Sequence, residues 1–361
     1  MKRIFIGLLA WLILADWVVA EALPFKVESL VSDLRYPWGM AFITPAELLI
    51  TEKGGAVKYI QLNNQVSKTI ATLPVAQVGQ GGLLDIALHP DFKQNRWVYL
   101  TYSKAVEGGY TTTLARGIFK KTQLKQIREL LVTSAISRAG RHFGSRIVFD
   151  QQGYLYMTIG DRGDRHNSQR LNTHAGKVLR LTAEGKPAKN NPFVKKPNAL
   201  PEIYSYGHRN PQGMVFDLQT QQLWLHEHGP QGGDEINLVE AGVNYGWPVI
   251  TYGREYSGDV ITDKTHDPKM AQPHWYWVPS IAPSGMTLYR GKPFKSWQGD
   301  FLVGALKDRL LARVSLTDVQ KGTEQRYDFH KRIRAVTEGP DGLVYLLTDQ
   351  SPGELLRLRP K

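Results

Sequence analysis

The stretch WLHEHGPQGGDEINL, residues 224–238, gathers two imidazoles, three carboxylates and a glycine–proline turn within fifteen positions. On a strand, alternation puts His226 and His228 on one face and Glu227 on the other. Two imidazoles on one face are one way to offer nitrogen ligands to zinc. A polar turn, or some third use of the segment, is equally open on these residues alone.

Further polar clusters punctuate the rest of the chain. VGQGGLLD sets Gln80 before an apolar run, and GRHFGSRIVF does the same for Arg141 and His142. TIGDRGD ends a run with Asp161, YSYGHRNPQGMVF offers His208, Arg209 and Asn210, and GALKDR offers Lys307. KRIRAV carries Arg332 and Arg334, and LLTD ends with Asp349. Singly, each has an ordinary explanation: a histidine beside glycine in a turn, Lys and Arg as solvated charge, Asp161 and Asp349 as turn caps. The glycines around Gln80 lack both the dinucleotide-binding spacing and the Lys-Ser/Thr of a phosphate loop.

The elements that would position these clusters repeat. An apolar strand, a turn and a second apolar strand recur six times, beginning at Trp38, Leu83, Ser145, Gly213, Gly285 and Ile333. Anchors at Met40, Ile86, Ile147, Met214, Met286 and Val336 are spaced by 46, 61, 67, 72 and 50 residues. Units of about 40 to 50 residues built from four short strands are the signature of β-propeller blades. The expected fold is therefore all-β, a six-bladed β-propeller, with the excess length in loops, chiefly 161–177 and 252–277. Helical periodicity is almost missing, and KKTQLKQIRELL (120–131) is the best helix candidate. No linker divides the chain, so residues 21–361 read as one catalytic domain.

Residues 1–20 combine Lys2 and Arg3, an apolar run from Ile4 to Ala15, and the small-residue ending Val18-Val19-Ala20. This pattern is short for a membrane span and fits a cleavable signal peptide, which implies a periplasmic or secreted protein with no transmembrane anchor. The chain has no Cys, so thiolate chemistry and covalently attached haem are excluded. A net charge of +12 suits an anionic ligand, an acidic protein partner or an anionic membrane surface. No nucleic-acid-binding motif is present, so no nucleic acid is expected as a partner.

Taken together and in order, GQGGLLD, HFGSR, GHRNPQGM, EHGPQGGDEIN, NYGWP and GALKD resemble the soluble pyrroloquinoline-quinone-dependent sugar dehydrogenases, from about Pro37 to Leu358. The chain is most similar to their compact members, the aldose sugar dehydrogenases. The resemblance implies an enzyme oxidising the anomeric carbon of aldoses to lactones, with hydride passing to pyrroloquinoline quinone (PQQ). It implies His142 as general base and Asp161 as the carboxylate that orients it. It assigns Gln80, His142, Arg209, Asn210, Lys307, Arg332, Arg334 and Asp349 to the cofactor. Gly229 and Pro230 would give main-chain oxygens to an active-site calcium, and Glu235 and Tyr245 would hold a second, structural Ca2+. His226 and His228 then need not be ligands: His228 would support the pocket and His226 would pack.

These residue types suit that chemistry. The cofactor's three carboxylates call for guanidinium and ammonium partners, calcium takes oxygen ligands and acts as a Lewis acid, and histidine accepts a proton near neutral pH. Ser145 stands where relatives often have glycine. Trp275, Tyr276 and Trp277 are either sugar-stacking surfaces or interblade packing. The implied partners are an aldose substrate and a separate electron acceptor, with the protein a monomer. A calcium-dependent lactonase or other hydrolase, and a non-catalytic ligand-binding propeller, are the rival readings; the first leaves Lys307, Arg332 and Arg334 without a role.

Overall fold

Each repeat forms one antiparallel four-stranded sheet in a computed structural model, which describes residues 23–64 and 66–361. The signal-peptide reading of residues 1–20 falls outside the described residues. The chain opens with β1 (Phe25–Leu34). The first sheet is β2–β5 (Pro37–Thr44, Glu47–Glu52, Ala56–Gln61, Val66–Thr72), and the second is β6–β9 (Leu83–Leu88, Trp97–Val106, Gly109–Lys120, Gln123–Val132). The third is β10–β13 (Ile147–Phe149, Leu155–Ile159, Lys177–Leu181, Ile203–Tyr206), and the fourth is β14–β17 (Pro211–Asp217, Gln222–Glu227, Asp234–Val239, Trp275–Trp277). The fifth is β18–β21 (Pro283–Leu288, Phe301–Ala305, Leu310–Asp318, Lys321–Asp328). The last combines β22–β24 (Ile333–Glu338, Val344–Thr348, Gly353–Pro360) with β1, which pairs antiparallel to β24 from Phe25 opposite Pro360.

The first strands pack in a closed ring: β2 on β6, β6 on β10, β10 on β14, β14 on β18, β18 on β22 and β22 on β2. This is a six-bladed β-propeller, and all six sequence anchors lie on its inner strands. The ring closes because β1 completes the sheet that holds β24, so the first and last described strands are tied into one hydrogen-bonded ladder.

Apolar side chains on facing sheets fill the wedges between blades. Leu49, Val57, Ile86 and Leu100 share one cluster, while Leu346, Leu302, Ile50 and Met40 share another across the closure. Hydroxyls add directed bonds between blades. Thr51 donates to the Leu84 carbonyl (2.5 Å), Thr101 to Ser145 (2.8 Å) and Thr158 to Pro211 (3.3 Å), each reaching the start of the next blade.

The best helix candidate, 120–131, is instead part of a hairpin. Lys121 and Thr122 both adopt positive φ, 48° and 54°, as the two central residues of a hairpin turn of matching twist do, and β9 follows as an outer strand. Its polar residues face solvent, so a half-wet edge strand produced the weak helical periodicity.

The axis is occupied by Arg146, just before β10. Its guanidinium donates to Asp85 of β6 (2.9 Å), to the Gln212 carbonyl of β14 (2.7 Å) and to the Arg334 carbonyl of β22 (3.4 Å), and lies 4.2 Å from the centre of the Trp38 ring of β2. Removing one partner of a buried ion pair leaves an uncompensated charge, at about 3–5 kcal/mol. Arg146→Met is therefore expected to lower folding stability by about that amount, read as a reduced urea midpoint at unchanged slope.

Candidate active site

First and second strands of each blade run antiparallel, so the start of one and the end of the other lie at the same end of the ring. A cavity of about 220 Å³ opens there. Gln80, Gly144, Asn210 and Arg332 reach it from segments entering first strands, and Lys53, His228 and Asp349 from positions following second strands. A wider cleft of about 1200 Å³, lined by Leu23, Trp297 and Tyr327 among others, contains none of the residues singled out from the sequence.

Beside the smaller cavity, His142 Nδ1 lies 2.6 Å from Asp161 Oδ1. The Asp161 carboxylate has other donors as well: the Gly163 amide at 2.7 Å on Oδ1 and the Trp247 indole Nε1–H at 2.9 Å on Oδ2. Burial opposes its ionisation, but the His142 hydrogen bond and charge, with the Gly163 amide, hold its pKa below the usual value. A carboxylate can only accept, so Nδ1 carries the imidazole proton and Nε2 is left with a lone pair. Burial lowers the His142 pKa, opposed by Asp161 and assisted by Arg209 and Arg141. The backbone fixes the ring as well: the His142 amide donates to Gln80 Oε1 (2.7 Å), and His142 and Gly144 take positive φ. Ser145 continues the turn at φ 92°, a conformation that favours glycine.

The far wall is cationic. Asp349 Oδ2 accepts from Arg332 (2.9 Å) and Arg334 (3.0 Å), aligning both guanidinium groups, while Arg334 Nε is buried without a partner. Burial opposes ionisation of Asp349, but the two arginines pull its pKa below normal. Lys53 Nζ donates to the Gly79 carbonyl (2.7 Å).

The glycine–proline turn is built around Asp234, whose buried carboxylate accepts from Gly229 N (2.9 Å), Ser280 Oγ (2.9 Å) and Ile281 N (2.8 Å). Arg209 donates to the Gly229 carbonyl at 2.8 Å. Behind the turn a small cavity is lined by Glu227, Glu235 and Tyr245. Burial and the Glu227 charge both push the Glu235 pKa up. The Tyr245 hydroxyl is committed to the Leu238 carbonyl (2.6 Å) and the Glu240 amide (2.8 Å).

Comparison with known proteins identifies the family. The profile of the glucose/sorbosone dehydrogenase family matches residues 34–357. The chain belongs to this family. It is 40% identical to the aldose sugar dehydrogenase YliI of Escherichia coli K12 over 349 residues, covering 93% of each chain. The apo-form crystal structure of the soluble aldose sugar dehydrogenase from Escherichia coli superposes with a TM-score of 0.89 at 39% identity, covering 93% of this chain and all of that one (100%). The PQQ-bound form of the aldose sugar dehydrogenase from Streptomyces coelicolor gives 0.77 at 26% identity, with 93% of this chain and 98% of that one covered. The family makes the protein a sugar dehydrogenase, an oxidoreductase.

Within this dehydrogenase the structure gathers Gln80, Asn210, Arg332, Arg334 and Asp349 on one cavity, with His142 and Asp161 beside it. Arg209, Gly229, Glu235 and Tyr245 line the adjoining small cavity, and His228 lines both. Lys307 stands apart: it is exposed, and its Nζ caps the Ser280 carbonyl (2.9 Å).

The strand that would place two imidazoles together ends at Glu227. His226 is wholly buried with neither ring nitrogen bonded, packed where a Cβ on Gly213 would come within 2.1 Å of its Nε2. His228 lies past the strand end and donates from Nε2 to the Pro283 carbonyl. With His226 packed against Gly213 and His228 bonded to Pro283, the two imidazoles do not share one site. The aromatic run also divides. Trp277 is buried between blades with its indole on Glu324 (2.9 Å), Trp275 packs into the same apolar cluster, and Tyr276 stacks on Tyr252 at 4.0 Å.

Sequence reading missed Trp247 and Asp234, although both stand within quoted motifs. Trp247 reads as core, and only the fold brings its N–H to Asp161. Trp247→Phe keeps the ring and removes that donor. Loss of one such bond is expected to lower kcat about tenfold with little change in KM. Because Asp161 would then hold its charge less dispersed, the acid limb of the pH profile is expected to move upward, which steady-state kinetics across pH would read.

Proposed function

We propose that this protein oxidises the anomeric carbon of aldose sugars to the lactone, with PQQ as hydride acceptor, calcium beside it and His142 as base. The observation that carries the reading is a histidine with a free Nε2, fixed by an ionised aspartate, beside a cavity walled by arginines. The name of the Escherichia coli relative supports the substrate class, and the PQQ-bound form of the Streptomyces coelicolor enzyme supports the cofactor.

The residues present fit a polyanionic quinone. Arg332 and Arg334 are held side by side, and the buried Arg334 Nε lacks a partner that an anion would provide. Gln80, His142, Arg209, Asn210, Lys307 and Asp349 complete the proposed cofactor set. A hard cation calls for oxygen donors, and at the first site it would displace the Arg209 guanidinium that donates to the Gly229 carbonyl. Gly229 and Pro230 would offer main-chain oxygens, and Glu235, with the main chain of Tyr245, would serve a second ion whose charge relieves the repulsion between Glu235 and Glu227. Bound there, the quinone supplies a two-electron acceptor for hydride, and calcium supplies Lewis acidity at its carbonyl.

The chain's own groups do the rest. His142 Nε2 takes the proton of the anomeric hydroxyl as the C1 hydride departs and the C1–O bond becomes a carbonyl. Asp161 keeps the acceptor nitrogen facing the sugar and compensates the imidazolium that forms. Electrons then leave to a separate acceptor. We further propose that residues 1–20 direct export, with the protein working as a monomer in the periplasm or outside the cell; no helix among the described residues is long and apolar enough to cross a membrane.

Dye-reduction assays on aldoses, with and without added PQQ and calcium, test the reading. Activity is expected only with both additions, and His142→Ala is expected to lower kcat by about 10²–10⁴. Activity independent of PQQ would overturn it.

The pH dependence follows from the histidine. A general base must be unprotonated, and burial holds the His142 pKa below its ordinary 6.5, so kcat/KM is expected to fall on the acid side with a limb below that value. Asp161 raises that pKa, so Asp161→Asn is expected to shift the limb to lower pH while reducing the plateau. A limb that stayed in place in the variant would remove His142 as its origin.

A further inference from the structure

We propose that Lys53 is an anion-binding residue of the active-site cavity and holds one carboxylate of the quinone cofactor, a role that rests on the cofactor reading above. Its place in the fold is the first ground. Lys53 follows β3 directly, as His228 follows β15 and Asp349 follows β23, and all three line the one cavity. The position after a second strand is therefore the one from which this propeller sends side chains to its mouth, and in the first blade it carries an ammonium.

Charge balance is the second ground. The cavity wall carries Lys53, Arg332 and Arg334 against the single carboxylate of Asp349. Three cations and one carboxylate leave two positive charges unmatched. A ligand with at least two anionic groups balances them, and two arginines aligned by one aspartate do not use the third cation.

Pre-organisation is the third. The Lys53 amide donates to Tyr36 O (3.1 Å) and its carbonyl accepts from Leu83 N (2.9 Å), so the backbone is fixed on both sides. A Cβ at Gly82 would fall 2.6 Å from Lys53 Cγ, so the glycine loop carrying Gln80 lies directly on the lysine stem. The Gly79 carbonyl takes one of the three ammonium hydrogens (2.7 Å), and the others can serve a ligand. Partial burial lowers the Lys53 pKa, with Arg334 adding to the effect and Asp349 opposing it, so an anion beside it recovers a solvation loss.

Equilibrium titration of the purified full chain with PQQ, followed by cofactor absorbance and tryptophan fluorescence, tests the proposal without reference to turnover. Lys53→Met, which keeps the stem and removes the charge, is expected to weaken binding about tenfold or more. Lys53→Arg is expected to restore most of it. Wild type should discriminate strongly between the free acid and its trimethyl ester, and the methionine variant less so. Thermal midpoints of the cofactor-free proteins separate loss of binding from loss of fold. If wild type binds PQQ and Lys53→Met binds it equally well, Lys53 merely buttresses the glycine loop and the proposal falls. If wild type does not bind PQQ, the cofactor reading falls and takes this role with it.

Discussion

The structure depends on a guanidinium at the propeller axis. Six wedges can be arranged around a ring only if their inner edges agree on a common centre, and apolar packing between sheets leaves some freedom in angle. Arg146 removes that freedom, since its planar, directional donors reach an aspartate of one blade and backbone carbonyls of two others while its face lies on a tryptophan of a fourth. Lysine could not do this, having a point charge and no fork. Such a buried pair contributes little net stability relative to an apolar replacement of both partners; what it supplies is geometry. Asp85 extends the constraint by accepting the Ile147 amide (2.9 Å) from the next blade.

The active-site loop is a direct dependant. Arg146 immediately follows the turn His142–Ser145, and Thr101 grips the Ser145 carbonyl from the neighbouring blade. The candidate base therefore sits a few residues from the most tightly fixed point of the molecule. Its partners come from elsewhere: Gln80 from the entry to β6, Asp161 from beyond β11, and Trp247 from the long connection between β16 and β17. Antiparallel strand order turns these distant positions into neighbours, because entries and exits of alternate strands share one end of the ring.

That logic also explains how much was legible in the sequence. The inner strands announced themselves because they are largely buried, so Leu83–Leu88 reads as an apolar run broken by Asp85 alone. The outer strands are half wet, which is why β9 imitated a helix. His142, Asp161 and the arginine pair were visible as polar residues at strand ends, but their partnership was visible only through resemblance. Lys307, read from a matching motif, rests on the Ser280 carbonyl outside the cavity wall. Lys53 shows the converse: it had a strand-end position like Asp349, yet a lysine in a polar turn carries no signal until the fold shows which way the strand end points. The two histidines of residues 224–238 diverge because the strand stops between them, a boundary that alternation alone does not mark.

The cations of this site act on the base as well as on a ligand. Arg209 and Arg141 both lower the basicity of His142, and Arg209 and Arg334 do the same to His228, whose pKa burial already pushes down to about 3. An anion held among these groups cancels their effect at the imidazoles, because a neutralised guanidinium no longer repels a proton on a nearby ring. By linkage, a ligand that raises the proton affinity of His142 is itself bound more tightly when that ring is protonated. The coupling runs in the direction that catalysis needs: the histidine becomes a stronger base when the cavity is filled. Asp161 cannot provide this, since its charge is present in both states. In the proposed reading Arg209 therefore has two roles that no single-residue reading separates, one toward the anion and one in setting the basicity of His142.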